Sequence, residues 1–147
     1  MVLKLINKRL LNEKKILIIL ANYYPDISKN LFENATKYLE KNYDLKYKKD
    51  LSLIEVPGVF EIPVTIATRV KKYDGFIALG CVIKGQTPHF NFISKATTDA
   101  IMKLSIENRK PIGNGIITCL NKKQATVRSK IKGQEAANAV CTVLEKL

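Results

Sequence analysis

Apolar and polar positions follow two regimes along this chain. Ile16 to Ala21 is a short apolar run of the kind buried in a parallel sheet, Leu51 to Val56 reads as the next strand, and Gly75 to Cys81 is the third. Between the first two, Ile27, Leu31, Ala35 and Tyr38 or Leu39 recur at helical spacing. That helix opens at Pro25-Asp26 and stops near Lys41-Asn42. Pro57-Gly58 breaks the second strand, and Glu61 through Lys71 reads as a helix, with Pro63 tolerable only in its first turn. A long helix runs from Pro88 to about Asn108, with Ile93, Thr97, Ala100 or Ile101 and Leu104 on its inner face. Pro111 and Gly113 bound a fourth strand, Ile116 to Leu120. Helices then cover Lys122 to about Ser129 and Gln134 to Leu147, the last with Ala136, Val140, Val143 or Leu144 and Leu147 inward.

Strand and helix alternate throughout, which implies right-handed βαβ units. The fold class is therefore α/β: a three-layer α/β/α sandwich with a central four-stranded parallel sheet. No repeat or linker interrupts residues 1–147, so one domain is expected, with residues 1 to about 12 as an arm ordered only against a neighbour. Ligands of such sheets bind beyond the carboxyl ends of the strands. The loops there carry Asn22-Tyr23-Tyr24, Pro57 to Glu61, Val82 to His89, and Cys119 to Lys122. The third is the most informative. A strand passes through Lys84 and Gly85 into Thr87-Pro88, where a helix starts beside His89, the only histidine. A helix start of this kind offers unpaired backbone N–H groups and a favourable dipole to an anion. Phosphate binding next to proton transfer is the chemistry these residues suggest.

Composition narrows the setting. Twenty-five Lys and Arg against 13 Asp and Glu leave a formal charge of +12. The lysines are scattered in small groups, Lys14-Lys15, Lys48-Lys49, Lys71-Lys72 and Lys122-Lys123, and no basic tail or arginine cluster concentrates them. Solvated element ends explain the charge, and no nucleic-acid partner is expected; salt-dependent RNA affinity would be the signature of that rival reading. Cys81, Cys119 and Cys141 are odd in number, lie in apolar settings and lack Cys-x-x-Cys spacing, which argues for reduced thiols, a cytoplasmic location and no metal site. Met1 to Leu11 is too interrupted by lysine and arginine for a signal peptide, and no run approaches membrane-spanning length.

Four segments together closely resemble 6,7-dimethyl-8-ribityllumazine synthases. They are Val56 to Pro63 (Val-Pro-Gly-Val-Phe-Glu-Ile-Pro), Ala78 to Phe90 (Ala-Leu-Gly-Cys-Val-Ile-Lys-Gly-Gln-Thr-Pro-His-Phe), Gly115 to Thr118, and Lys132 to Ala137. The resemblance runs in order from about Lys15 to Leu147. It implies a flavodoxin-like, oligomeric enzyme, a transferase of riboflavin biosynthesis. Such enzymes condense 5-amino-6-(D-ribitylamino)uracil with 3,4-dihydroxy-2-butanone 4-phosphate, releasing phosphate and water, without metal or other cofactor.

By the same resemblance, His89 moves protons and Tyr23 stacks on the pyrimidine. Val59, Phe60, Glu61 and Ile62 hold the ribityl chain, and Cys81, Val82 and Ile83 line and pair with the pyrimidine edge. Gly85, Gln86 and Thr87 receive the phosphate with Arg128. Lys132 and Asn114 also bind the pyrimidine substrate, and a neighbouring subunit supplies Asn114 and Arg128, so function requires a homo-oligomer. Association with riboflavin synthase is a further implication. The chain departs from the common pattern at Asn22, Val59, Lys84 and Asn114. Only Ser129-Lys130-Ile131 separate Arg128 from Lys132-Gly133, where shell-forming members carry a glycine-rich segment. That favours a free pentamer over a 60-subunit shell. A non-catalytic, lumazine- or flavin-binding or shell-forming relative is the alternative, opposed by the intact His89, Phe60-Glu61 and Gly85 to Thr87.

Overall fold

The computed structural model describes residues 11–147, so the arm expected over residues 1–12 lies outside the described residues except for Leu11 and Asn12. Along the chain come β1 (Ile16–Ala21), α1 (Pro25–Tyr43), β2 (Leu51–Val56), a 3-10 turn (Val59–Glu61) and α2 (Ile62–Arg69). They are followed by β3 (Gly75–Ile83), α3 (His89–Asn108), β4 (Ile112–Cys119), α4 (Lys122–Arg128) and α5 (Lys132–Leu144). All strand pairs are parallel, in the order β2-β1-β3-β4.

The sheet is apolar on both faces because helices cover both. Ile16, Ile18, Leu20, Ile77 and Leu79 belong to one cluster with Ile27, Leu31 and Leu39 of α1 and Val140 and Leu144 of α5. Leu17, Ile19, Phe76 and Ala78 join Ile62 and Ile66 of α2 and Ile101 of α3 on the other side. Alternate residues of one strand thus feed two cores, which is why β1 reads as an unbroken apolar run. Burying each such side chain contributes about 1.5 to 3 kcal/mol.

Bounds of β1 and β2 match the expected strands. Elsewhere the packing moves them. β4 starts at Ile112, four residues before the expected Ile116, because its glycines face α5: a Cβ at Gly113 would lie 2.3 Å from the Ala136 carbonyl oxygen. Glycine at this position hides the strand signal while letting a helix backbone approach the sheet. The helix expected from Glu61 to Lys71 divides into the 3-10 turn and a shorter α2. α1 runs on to Tyr43 and stops where Asp44 turns left-handed, its N–H donating to the Glu40 and Leu39 carbonyls. α5 starts at Lys132 and ends at Leu144, so Leu147 is 80% exposed and not inward.

Topology also changes the picture of the charge. Since every strand runs the same way, the segments entering them share one edge of the sheet. Lys14-Lys15 precede β1, Lys48-Lys49 precede β2, Lys71-Lys72 precede β3 and Arg109-Lys110 precede β4. Three of the four lysine pairs are thus gathered on the amino edge, whereas Lys122-Lys123, after β4, lie towards the carboxyl edge. None of these residues is in an ion pair among the described residues. No helix among the described residues is long and apolar enough to cross a membrane.

Candidate active site

At the opposite, carboxyl edge lies a cleft of about 670 Å³. It opens between β1 and β3, where the strand order reverses direction, the usual ligand crevice of such sheets. Three loops build it. The loop after β1 brings Tyr23 and Tyr24, the segment after β2 brings Pro57 to Glu61, and the end of β3 with the start of α3 brings Cys81, Val82, Ile83, Gly85, Thr87, His89, Phe90 and Ile93. The fourth loop, after β4, does not line it.

Each wall has a local cause. Asn22 N–H donates to the Val56 carbonyl at 3.0 Å, prolonging the ladder, and Pro25 then opens α1 at once. Tyr23, between these two constraints, projects outward with 71% of its surface exposed. Phe60, 62% exposed, rides on the 3-10 turn while its neighbours Val59 and Ile62 sink into the core. Gly80 permits that descent, since a Cβ there would lie 2.6 Å from Val59 Cγ1. Glu61 is held by its backbone: its N–H donates to the Gly58 carbonyl at 3.2 Å and its carbonyl accepts from Thr65 Oγ1 at 2.8 Å.

β3 outruns its partner. Its pairing with β1 ends at Leu20–Leu79, whereas its pairing with β4 continues to Ile83–Cys119. From Gly80 to Ile83 the β1-facing edge of the strand is therefore open, and it borders the cleft. Buried backbone groups require partners, so this edge suits a planar ligand carrying amide-like donors and acceptors. The expected strand end at Cys81 concealed this feature, because Val82 and Ile83 extend the apolar run just where the loop motif begins.

Beyond the strand, Lys84 N–H donates to the Cys119 carbonyl at 2.9 Å, and residues 84–89 are exposed. α3 begins at His89 after Pro88, with no side-chain cap. Its first N–H groups are open to an anion. A Cβ on Gly85 would meet nothing within 4 Å. The chain's own packing gives no reason for a glycine there, whereas close approach of a ligand to the backbone does. Cys81 is 8% exposed, and its thiol is pushed up to about 12, first by burial and then by the neighbouring Cys119, with Arg128 opposing. A thiol so protonated is no nucleophile. Among the described residues no group of three or more His, Cys, Asp or Glu could hold a metal ion.

Of the expected site residues, Tyr23, Val59, Phe60, Glu61, Cys81, Val82, Ile83, Gly85, Thr87 and His89 come together around this cleft. Ile62 is fully buried beneath it, and Gln86 sits in the loop without lining it. Asn114, Arg128 and Lys132 are not brought there. Asn114 lies exposed on the edge strand β4, where its side-chain oxygen accepts from Ile116 N–H at 3.1 Å. Arg128 ends α4, its guanidinium donating to the Thr118 carbonyl at 2.9 Å. Lys132 opens α5 and pairs with Glu135 at 3.7 Å. Part of the motif around it serves packing: a Cβ at Gly133 would lie 2.2 Å from the Leu31 carbonyl oxygen, and Gln134 N–H donates to Asn34 Oδ1 at 2.7 Å. Tyr24 was missed. Its signal was in plain view, a second aromatic directly after Tyr23 in a loop leaving a strand.

Comparison with known proteins agrees with this geometry. The family model of 6,7-dimethyl-8-ribityllumazine synthase matches residues 13–147. A 6,7-dimethyl-8-ribityllumazine synthase of Agrobacterium fabrum is 38% identical over 149 aligned positions, covering 92% of this chain and 95% of that protein. The enzyme of that name from Bartonella bacilliformis is 39% identical, with 88% and 87% covered, and the one from Buchnera aphidicola is 38% identical, with 92% and 86% covered. With the family model matching residues 13–147 and relatives 38–39% identical over 88–92% of its length, the chain belongs to the 6,7-dimethyl-8-ribityllumazine synthase family.

Proposed function

We propose that this protein condenses 5-amino-6-(D-ribitylamino)uracil with 3,4-dihydroxy-2-butanone 4-phosphate to 6,7-dimethyl-8-ribityllumazine, the penultimate step of riboflavin formation. The observation that carries the reading is the cleft itself. It joins two exposed aromatic rings, an open strand edge, an uncapped helix start and the only histidine within one crevice.

Tyr23 and Phe60 offer flat apolar faces to the pyrimidine, and the open edge of Val82 and Ile83 offers backbone groups to its amide rim. Glu61 accepts hydrogen bonds from ribityl hydroxyls. Gly85 to Thr87 and the start of α3 receive the phosphate. The second reactant is thereby held with its ketone beside the 5-amino group. Amine attack gives a carbinolamine and loss of water gives an imine; elimination of phosphate leaves an enol that tautomerises to a ketone, and the ribitylamino nitrogen adds to that carbonyl and closes the ring as a second water leaves. Each step moves a proton, and His89 at the head of α3 is placed to move it; an imidazole does so near neutral pH. One such group contributes about 10²- to 10⁴-fold. Holding two reactants together contributes up to roughly 7 to 11 kcal/mol in ideal cases, so positioning dominates.

Among the described residues no arginine lines this cleft. Asn114 and Arg128 occupy an exposed flank around β4 and α4, near the exposed apolar side chains Leu120, Val127 and Ile131. A flank so composed fits a neighbour's cleft, Arg128 completing the phosphate site and Asn114 and Lys132 bordering the pyrimidine. A pentamer is favoured by the three-residue link between α4 and α5. Three free, buried cysteines suit a reducing cytoplasm.

Mixing both substrates with purified protein should produce the fluorescent lumazine above the spontaneous rate, and no excess product would sink the enzyme reading. Light scattering separates pentamer from shell. Tyr23→Ala and Arg128→Ala subunits, each impaired alone, should recover about a quarter of the sites when mixed at random, since each interface then draws its halves from different copies. No recovery after subunit exchange contradicts a shared site.

A further inference from the structure

Tyr23 carries the stacking face of the cleft, yet with 71% of its surface exposed it has little of the chain around it to hold its ring. Tyr24 is its one aromatic neighbour among the described residues, with centroids 4.9 Å apart and planes at 73°, an edge-on contact. Tyr24 is itself well fixed. Its ring is partly buried against the core beneath α1, and it caps that helix in extended conformation at φ −113 and ψ 94. Its carbonyl accepts from Ser28 N–H at 2.9 Å, while Ser28 Oγ donates to the Ala21 carbonyl at 2.8 Å. An anchored ring thus stands against an unanchored one.

We propose that Tyr24 is a positioning residue for this reaction, a fixed second wall whose ring edge holds Tyr23 in the orientation that receives the pyrimidine. The proposal rests on the function proposed above. Edge-to-face geometry is directional, so Tyr24 selects one tilt of the Tyr23 ring where an aliphatic neighbour would allow several. Burial raises the Tyr24 phenol above its ordinary range, with Cys81 and Tyr23 adding to it, so the ring stays neutral while lining the cleft.

The test is a double-mutant cycle read in steady-state kinetics, with fold and oligomer size checked by circular dichroism and light scattering. Tyr24→Leu and Tyr24→Met keep the apolar contact with the core and lose the ring. Each should raise KM for the pyrimidine about two- to tenfold, the worth of one aromatic pair, and leave KM for the phosphate ketone unchanged. Tyr24→Phe should stay at the parent value. If Tyr24 acts through Tyr23, adding Tyr24→Leu to Tyr23→Ala should cost nothing further. Parental KM in both ring-less variants overturns the proposal. So does a parallel rise in both KM values, a Phe variant as weak as Leu, or single effects that multiply in the double variant. A parent protein that forms no lumazine overturns the functional reading as well, which separates the two failures.

Discussion

Replacing Gly85 by alanine separates what the fold needs from what the ligand needs. A Cβ at this position would meet no atom of the chain within 4 Å, and no glycine has a positive φ. Folding therefore has no objection to alanine, and a less flexible unfolded chain should stabilise the protein by about 0.4 to 1 kcal/mol. For a domain near this size that is a rise in Tm of roughly 1 to 4 °C. The ligand does object. On the proposed phosphate assignment, the same Cβ would stand in the approach to the N–H groups of residues 85–87, and each charge-assisted hydrogen bond is worth about 1.5 to 3 kcal/mol. Loss of one predicts a KM for the phosphate ketone raised roughly ten- to 150-fold, with KM for the pyrimidine little changed. Calorimetry reads the first quantity and steady-state kinetics the second. A lowered Tm would mean that the glycine serves the fold. An unchanged KM for the phosphate ketone would refute the phosphate assignment of this loop.

His89→Ala should lower kcat by about 10²-fold, the low end of what one positioned acid–base group contributes, while leaving measurable turnover and an unchanged KM for the pyrimidine, because positioning outweighs proton transfer; abolished turnover in a correctly assembled protein contradicts this. Gly133→Ala forces a Cβ to within 2.2 Å of the Leu31 carbonyl oxygen, so a loss of about 1 to 3 kcal/mol is expected, visible as a lowered Tm; a parental Tm would mean that α5 shifts at no cost. Cys81, its thiol pushed up to about 12, is almost wholly protonated at pH 8, and its alkylation should be roughly 10³-fold slower than that of an ordinary cysteine until pH rises towards that value. Mass spectrometry of iodoacetamide-treated native protein checks this, and rapid labelling at pH 8 would contradict the burial of that side chain.

Much of this protein was legible as sequence because the relevant signals are local. Ile16 to Ala21 marks its strand to the residue, since a parallel strand buried on both faces leaves no polar position to blur its ends, and Leu51 to Val56 is bounded by the Pro57-Gly58 break that follows it. The placement of Phe60-Glu61 and Gly85 to His89 in segments leaving strands was likewise readable, because turns, glycines and helix starts depend on neighbours in the chain. β4 was misread at its start because Gly113 and Gly115 look like breakers, and only a helix pressed on them explains glycine in a strand. Tertiary structure alone decided the strand order, the open β1-facing edge of β3 beyond Leu79, and the gathering of three scattered lysine pairs on one edge. It also put Asn114 and Arg128 on a flank away from this chain's own cleft, and set Tyr24 against Tyr23. These are contacts between residues far apart in the chain or between two rings whose relative tilt no periodicity records. They depend on which elements pack together, and that is a property of the whole assembled sheet and its helices.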